Sequence, residues 1–299
     1  MRPELVDVGP RDGLQNEDRT LAPEIRAELC SRLAAAGLPR VETASFVNPR
    51  RVPQMAGAEE VISSLDRAAS PHTKFAGLAL NEKGYERAVA AGVDEVRYAF
   101  PVTDEFARRN QNTTATEGAA LAGRLVERAR AEGVRISVTL SVAFGCPFEG
   151  RVAPETVVKF AEEVAVARPD ELVFADTIGA GVPSQARRMA RALSGRDFDL
   201  GFHFHDTRNT GIANALAALE AGADILDSSV GGTGGCPFAP RATGNIATED
   251  LVYLLEGTGY ETGADLDALI EYAQWLAQQL DKELPGRVHR AGNFAPAPR

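Results

Sequence analysis

The sequence GFHFHD, at residues 201–206, places two of the chain's four histidines one residue apart. In a β-strand, residues two apart lie on the same face, so His203 and His205 share one face and Phe202 and Phe204 the other. Two imidazoles at this spacing can bind one metal ion. The alternative is a pair of packed or hydrogen-bonded core histidines, and the spacing alone does not decide between the two.

Two oxygen-bearing side chains could complete a metal site with this pair. Asp12 follows the first predicted strand and Asn245 follows the eighth. Strands one, seven and eight are neighbours in a closed barrel, so the four side chains can converge there. Two nitrogen and two oxygen ligands, with water completing the shell, suit six-coordinate Mg²⁺ or Mn²⁺ better than a thiolate-rich zinc site. The sequence therefore predicts a Mg²⁺ or Mn²⁺ site.

Three further polar residues lie in or after predicted strands, and each has two interpretations. Arg11 either pairs with a carboxylate or holds a carbonyl or carboxylate of a substrate. Glu42 lies inside a strand, where an unpaired charge is costly, so it forms a salt bridge or acts as an acid–base group. Asp176 either caps the next helix or carries a proton near the metal.

The three cysteines differ in their surroundings. Cys236 lies in the glycine-dense segment GGTGGCPFAPRATGN after the eighth strand. This segment could be a mobile lid that brings a thiol to the reaction centre, or a cradle for a phosphate group. Cys146 is predicted to be a buried turn residue, and Cys30 a core residue of a helix. Glu249 is predicted to cap or support the helix that follows Asn245.

Eight apolar runs, alternating with amphipathic helical patterns, position these residues. The runs cover residues 4–8, 40–45, 74–80, 94–100, 135–141, 171–176, 200–205 and 224–229. Parallel strands need long crossovers, so eight strand–helix units predict a parallel sheet, and eight is the number that closes a (β/α)8 TIM barrel. A doubly wound open sheet is the alternative, but it usually has fewer strands. The unusual residues fall at strand ends, where barrel enzymes place their chemistry.

The domain is predicted to span residues 1–285 and to include an extra C-terminal amphipathic helix after the eighth unit. Trp275 and Tyr272 of this helix are predicted to be core residues. The remaining residues, 286–299, are predicted to form a flexible tail in which His289 is solvated. The other buried candidates of the extra helix are Leu266, Leu269, Ile270, Ala273, Leu276 and Leu280.

Composition limits the class of protein. The chain has 299 residues and a net charge of −10, which argues against general binding of nucleic acid because that needs a basic face. Three scattered cysteines do not form a disulfide scaffold. No stretch approaches about 20 apolar residues, so we expect no membrane span. The N-terminus enters an apolar strand by the fourth residue, and we expect a cytoplasmic protein without a signal peptide.

The motifs together resemble a known family. The chain is similar to the 3-hydroxy-3-methylglutaryl-CoA lyases of the DRE-TIM metallolyase superfamily, over Val8 to Gly257. The resemblance implies a (β/α)8 barrel, a divalent metal and cleavage of a 3-hydroxyacyl-CoA. The matching segments are VGPRDGLQNE, VETASFVNP, VPQM, GCPFEG, DTIG, HFHDT, GGTGGCPFAPRATGN and ATEDLVYLLEG.

The resemblance also implies roles for individual residues. The metal ligands would be those predicted above, and Arg11 would stabilise the developing enolate oxygen. Glu42, Asp176 and His203 would handle protons around the substrate hydroxyl. Cys236 would be the thiol of a mobile loop that takes part in protonating the released acetyl-CoA carbanion.

The substrate pocket departs from the family pattern. Where the resemblance leads us to expect Arg-Gly-Tyr-Val-Ser before the fifth-unit Gly-Cys-Pro, the chain has Ser137 to Ser141 in the order SVTLS. We expect the changed positions to lie at the strand end, facing the acyl group. The predicted substrate-binding residues are Arg11, Gln15, Ser45, Ser137, Thr139 and Arg241.

Three functions are compatible with the sequence. The first is a metal-dependent lyase acting on 3-hydroxy-3-methylglutaryl-CoA, or on a related 3-hydroxyacyl-CoA with another acyl group. The second is an enzyme that condenses acetyl-CoA with a 2-keto acid. The third, a non-catalytic binding barrel, gives no reason for metal ligands, Arg11 and the loop thiol to occur together. The expected partners are an acyl-CoA substrate and a second copy of the chain in a homodimer.

Overall fold

A computed structural model describes the fold of residues 2–235 and 243–294. Eight parallel strands form one closed sheet in chain order, with the first strand paired to the last. The structure is therefore the predicted (β/α)8 barrel, and an open sheet is excluded. The strands are β1 (Glu4–Asp7), β2 (Arg40–Ser45), β3 (Lys74–Ala79), β4 (Glu95–Pro101), β5 (Arg135–Ser141), β6 (Glu171–Asp176), β7 (Asp199–Phe204) and β8 (Ile225–Ser228).

Helices surround the sheet, and their ends follow local sequence signals. The long helix Ala115–Glu132 begins at a capping box, in which Thr114 and Glu117 each accept the other's backbone N–H. It ends before Gly133, whose backbone is in the left-handed region. The helices are α1 (Pro23–Ala35), α2 (Ala58–Ser63), α3 (Glu82–Ala91), α4 (Asp104–Gln111), α5 (Ala115–Glu132), α6 (Pro154–Ala165), α7 (Pro183–Ala192), α8 (Gly211–Glu220), α9 (Thr248–Gly257), α10 (Leu266–Leu280) and α11 (Val288–Ala291).

The two faces of the sheet differ in chemistry, as β4 illustrates. Val96 and Tyr98 face the helices, and the Tyr98 hydroxyl donates to the Gly118 carbonyl of α5 at 3.1 Å. Glu95 and Arg97 alternate with them and therefore face the barrel interior, where both are buried. The apolar core thus lies between sheet and helices, whereas the interior of the barrel holds charge.

An ion network occupies the interior near the start of the strands. Arg40 contacts Glu171 and lies 2.9 Å from a carboxylate oxygen of Glu95. Arg135 lies 3.1 Å from the same Glu95 oxygen and 3.2 Å from Asp199. Buried charges are tolerated only when they are paired, and here arginines and carboxylates alternate. The network closes this end of the barrel and leaves the carboxyl ends of the strands for a site.

The C-terminal segment packs against the barrel. The predicted extra helix is α10, and the six aliphatic side chains predicted to be buried are buried. Tyr272 and Trp275 were expected in the core, but they are half-buried at its edge, with the Arg32 guanidinium 4.5 Å from the centre of the Trp275 ring. The prediction of a solvated His289 is wrong, because this residue is buried in α11 and bonds Glu249 at 3.0 Å.

Candidate metal and active site

A π-helical turn over Gly9–Gly13, directly after β1, positions the first two site residues. The Val8 carbonyl accepts the N–H groups of Arg11 and Asp12 at 3.2 and 2.7 Å, so both side chains leave the turn at the carboxyl end of the barrel. Short π-helical segments occur often at functional sites. At Gly13, an added Cβ would lie 2.3 Å from the Thr233 hydroxyl, so the turn packs closely on the segment after β8.

Asp12, His203 and His205 form the one metal-competent cluster of His, Cys, Asp and Glu within residues 2–235 and 243–294. The Nε2 atoms of His203 and His205 lie 3.9 and 3.8 Å from the same Asp12 oxygen. One ligand atom from each residue lies within 4.8 Å of the other two. The two histidines therefore share a face, as the HFH spacing predicts, and the structure brings both of them to one oxygen of Asp12.

Asn245 is the fourth predicted ligand and lies beside Asp12. Its amide nitrogen donates to Asp12 at 2.9 Å and to the Thr233 carbonyl at 3.0 Å. Its side-chain oxygen is buried and has no hydrogen-bond partner in the described part of the chain. A buried acceptor without a partner is costly, and a cation on this oxygen would remove the cost. The four side chains thus fit an ion that prefers two nitrogen and two oxygen ligands.

Arg11 connects the cluster to Glu42. Its Nη1 lies 2.6 Å from Asp12, and its Nη2 lies 2.6 Å from the Glu42 Oε2. Burial alone would raise the pKa of Asp12, but Arg11 and the nearby histidines hold it well below its usual range. Asp12 is therefore a carboxylate at neutral pH, as a metal ligand must be. Glu42 forms the salt bridge that one interpretation required, and its Oε1 is buried without a partner among the described residues.

Asp176 lies at the end of β6 and holds the loop that follows. Its two oxygens accept the N–H groups of Ala180 and Gly181, both at 2.8 Å. The helix after this loop begins at Pro183 and its N-cap is Val182, so Asp176 does not cap it. Burial raises the pKa of Asp176. The proton-handling role that the resemblance implies for it stays a prediction.

Asp227 and Arg97 contact the site, but the sequence analysis did not predict them as site residues. Asp227 on β8 lies 3.1 Å from Nδ1 of His203, and Arg97 on β4 donates to both Asp227 oxygens at 2.9 and 3.0 Å. Burial lowers the pKa of His203, but the bond to Asp227 and the charge of Asp12 outweigh this effect and raise it. Both missed residues are charged positions inside predicted strands, which is the signal that identified Glu42.

Asp7 was not predicted either, and it accepts hydrogen bonds from three segments next to the site. It accepts the N–H of Gly9 at 2.7 Å, the N–H of Val230 at 2.9 Å and the hydroxyl of Thr248 at 2.7 Å. The π-helical turn, the segment after β8 and the start of α9 therefore meet on one carboxyl group. Burial raises the pKa of Asp7 from 3.8 to about 7.

The predicted substrate residues lie at different depths. Ser45 and Ser137 are fully buried, and the Ser45 hydroxyl has no hydrogen-bond partner within the described ranges. Ser137 is in register with Arg97 and Glu171, so it lies inside the barrel and not at the strand end, where it was expected. Thr139 is half-buried, two residues nearer the mouth of the barrel.

The remaining predicted positions are only partly described. Gln15 is half-buried, and its backbone N–H bonds the Arg11 carbonyl at 3.0 Å. Cys236 and Arg241 lie outside the described residues, so their predicted roles have no structural account here.

The other two cysteines and Glu249 lie where they were expected. Cys30 is fully buried in α1, and Cys146 is buried in a turn, where it accepts the Thr103 hydroxyl at 3.2 Å. Glu249 is buried in the first turn of α9 and accepts the Gly231 N–H at 3.0 Å. Across residues 2–235 and 243–294, none of the helices has the length and apolar character needed to cross a bilayer.

Comparison with known proteins gives one consistent family. The HMGL-like family matches residues 2–276. An (R)-citramalyl-CoA lyase of Chloroflexus aurantiacus is 45% identical over 98% of this chain and 95% of its own. A hydroxymethylglutaryl-CoA lyase of Pseudomonas mevalonii is 41% identical over 92% of each chain.

Solved structures agree with these relatives. An HMG-CoA lyase from Acinetobacter baumannii, in complex with coenzyme A and 3-methylmalate, has a TM-score of 0.92 at 34% identity, covering 99% of this chain and 98% of its own. The HMG-CoA lyase of Bacillus subtilis also has a TM-score of 0.92, at 35% identity and 97% coverage of both chains. With the barrel and its acidic, histidine-bearing site, these matches show that the chain belongs to the HMGL-like family and is an acyl-CoA lyase.

Proposed function

We propose that this chain is a divalent-metal-dependent carbon–carbon lyase that cleaves a 3-hydroxyacyl-CoA to acetyl-CoA and a keto acid. The observation that carries the proposal is the convergence of Asp12, His203 and His205 beside Arg11. Mg²⁺ or Mn²⁺ on these residues and Asn245 would favour the alkoxide of the substrate's C3 hydroxyl.

The side chains around the cluster can stabilise the thioester oxygen and transfer protons during the cleavage. Arg11 is held by Glu42 and Asp12, so its guanidinium is fixed in place before any substrate arrives. A fixed cation stabilises the thioester oxygen as it takes up charge while the C2–C3 bond breaks. The free oxygen of Glu42 is an acceptor for a proton of the substrate. We assign protonation of the acetyl-CoA carbanion to Cys236, on the resemblance alone.

Two acyl groups are candidates. 3-Hydroxy-3-methylglutaryl-CoA, which would yield acetoacetate, is the acyl-CoA that the resemblance implies. Citramalyl-CoA, which would yield pyruvate, carries its carboxylate one methylene nearer C3, and the relative with that name is 45% identical. Ser137 and Thr139 stand where the family pattern has Arg and Tyr, which is the reason to test both thioesters.

The test compares the two thioesters in the presence of Mg²⁺ or Mn²⁺ and measures acetyl-CoA, acetoacetate and pyruvate. We expect cleavage that a chelator abolishes. We expect Asp12→Ala to lose both cleavage and metal binding, whereas Asp18→Ala, at an exposed position nearby, keeps them. Cleavage that persists in the chelator and in Asp12→Ala would contradict the proposal. We also propose a homodimer in solution, which sedimentation equilibrium tests.

A further inference from the structure

Two buried residues extend the metal cluster into the barrel interior. His203 and Asp227 are in register on the neighbouring strands β7 and β8, with the Asp227 Oδ2 3.1 Å from Nδ1 of His203. Arg97 lies on β4, on the opposite side of the barrel, and its Nη2 reaches both oxygens of Asp227. The three side chains form a chain of contacts that ends at the candidate metal site.

The charges in this chain set the direction of each hydrogen bond. A guanidinium only donates, so both oxygens of Asp227 act as acceptors toward Arg97. An acceptor at 3.1 Å from a ring nitrogen requires that Nδ1 of His203 carry the proton. Nε2 then keeps its lone pair, and this is the atom that faces Asp12.

His205 provides an internal contrast. Its Nε2 faces the same Asp12 oxygen, but its Nδ1 is buried without a hydrogen-bond partner in the described part of the chain. No carboxylate contacts its Nδ1, and the carboxylate that faces its other ring nitrogen is the metal ligand Asp12 itself. The two histidines therefore belong to one cluster but differ at Nδ1, which has a carboxylate partner in His203 and none in His205.

We propose that Asp227 and Arg97 are positioning residues of the metal site: Asp227 holds the proton of His203 on Nδ1, and Arg97 holds Asp227 in place. Carboxylates behind metal-bound histidines orient the ring and increase its basicity, and their loss typically weakens metal binding about 10- to 100-fold. The inference rests on the proposed metal-dependent function. It assigns Asp227, which contacts His203 at Nδ1 and not at the Nε2 that faces Asp12, and Arg97, which contacts Asp227.

The first experiment needs no substitution of the positioning residues. The chain has four histidines, so ¹⁵N-histidine labelling gives a spectrum of few signals. In the metal-free protein at a pH where the imidazoles are neutral, we expect His203 to be protonated on Nδ1 alone. We expect His205 to carry its proton on Nε2, because its Nδ1 has no acceptor among the described residues and its Nε2 faces Asp12. A His203→Gln variant assigns the signal. A His203 protonated on Nε2 would overturn the proposal.

The second experiment measures the Kd for Mn²⁺ by calorimetry or electron paramagnetic resonance. An asparagine at 227 can present its amide NH₂ to the ring, so we expect Asp227→Asn to raise the Kd about 10- to 100-fold. Arg97→Gln should raise it by a smaller factor, because Asp227 remains. Arg135→Gln is the matched control, since it removes a cation of the interior network that does not touch Asp227.

The outcomes separate this inference from the proposed function. Folded Asp227→Asn protein that binds Mn²⁺ with the wild-type Kd would overturn the inference and leave the metal-dependent reaction intact. Wild-type protein that binds no Mn²⁺ would overturn the proposed function, and this inference with it. If Asp227→Asn fails to fold, the tautomer of His203 in the wild-type protein still decides, because that spectrum requires no change at position 227.

Discussion

Glu42 is fully buried, contacts Arg11 through one oxygen and leaves the other without a partner in residues 2–235 and 243–294. It has no contact with His203 or His205. We therefore expect Glu42→Gln to lower kcat by about 100- to 10,000-fold while leaving the Kd for Mn²⁺ unchanged. Steady-state kinetics and calorimetry measure the two quantities.

Glu28→Gln, on an exposed face of α1, is the control for the loss of a carboxylate. A Glu42→Gln enzyme with wild-type kcat would show that Glu42 only holds Arg11 in place.

Asp7 gives a pH dependence of stability with a defined sign. Its pKa is about 7 in the folded chain and 3.8 when unperturbed, because it is buried. Between these values the folded state binds more protons than the unfolded state, so stability falls as pH rises. We expect the free energy of unfolding of the wild type, minus that of Asp7→Asn, to decrease from pH 4 to pH 7 and then to level off.

Urea denaturation at several pH values measures this difference, and groups that titrate alike in both proteins cancel from it. A difference that increases over the same range would show that Asp7 is ionised in the folded chain.

The π-helical turn is the element that presents Arg11 and Asp12, and Gly13 sets its distance from the segment after β8. An added methyl group would meet the hydroxyls of Thr233 and Ser229 at 2.3 and 2.7 Å. We expect Gly13→Ala to displace the turn, to weaken Mn²⁺ binding and to cost about 1–3 kcal/mol of stability.

Gly123→Ala is the matched control, because Gly123 lies in α5 with nothing within 4 Å of an added Cβ. That change should stabilise the chain by roughly 0.5–1 kcal/mol. If Gly13→Ala behaves like the control, close packing of the turn is not what positions Asp12.

Strand positions were predictable because apolar periodicity and strand-end chemistry agree along the whole chain. The predicted runs at 40–45, 135–141 and 171–176 coincide with β2, β5 and β6, and each of the other five differs by one residue at one or both ends. Apolar periodicity does not show how far a residue of a strand lies from the mouth of the barrel. Ser137 was therefore expected at a strand end, although it lies inside the barrel beside Arg97.

Site residues were predictable where a single motif contains the chemistry. They were not predictable where their role depends on a contact with an element distant in sequence. His203 and His205 are recognisable by spacing, and Asp12 by its place after β1. Asp227, Arg97 and Asp7 are charged residues inside predicted strands, but their partners lie on strands or loops far away in sequence, and no local pattern identifies such partners. His289 was misjudged for the same reason, because its partner Glu249 lies 40 residues earlier.

At the scale of the whole molecule, α11 joins the C-terminal segment to the active end of the barrel. Glu249 bonds His289 through one oxygen and the Gly231 N–H through the other. We expect His289→Ala to cost about 1–3 kcal/mol in the free energy of unfolding, because it leaves a buried carboxyl oxygen unpaired.

Thermal and urea denaturation measure the loss, and His72→Ala, at an exposed position, is the control. Equal stability of the two variants would show that Glu249 finds another partner.

The same contact has a practical side for anyone who prepares this enzyme. Gly231 follows β8 by three residues, and α11 supports it through the contact of His289 with Glu249. A shortened expression boundary that removes α11 would therefore take away the buried partner of Glu249 and leave one of its carboxyl oxygens unpaired behind Gly231. Variants are therefore best compared in protein that keeps Val288–Ala291.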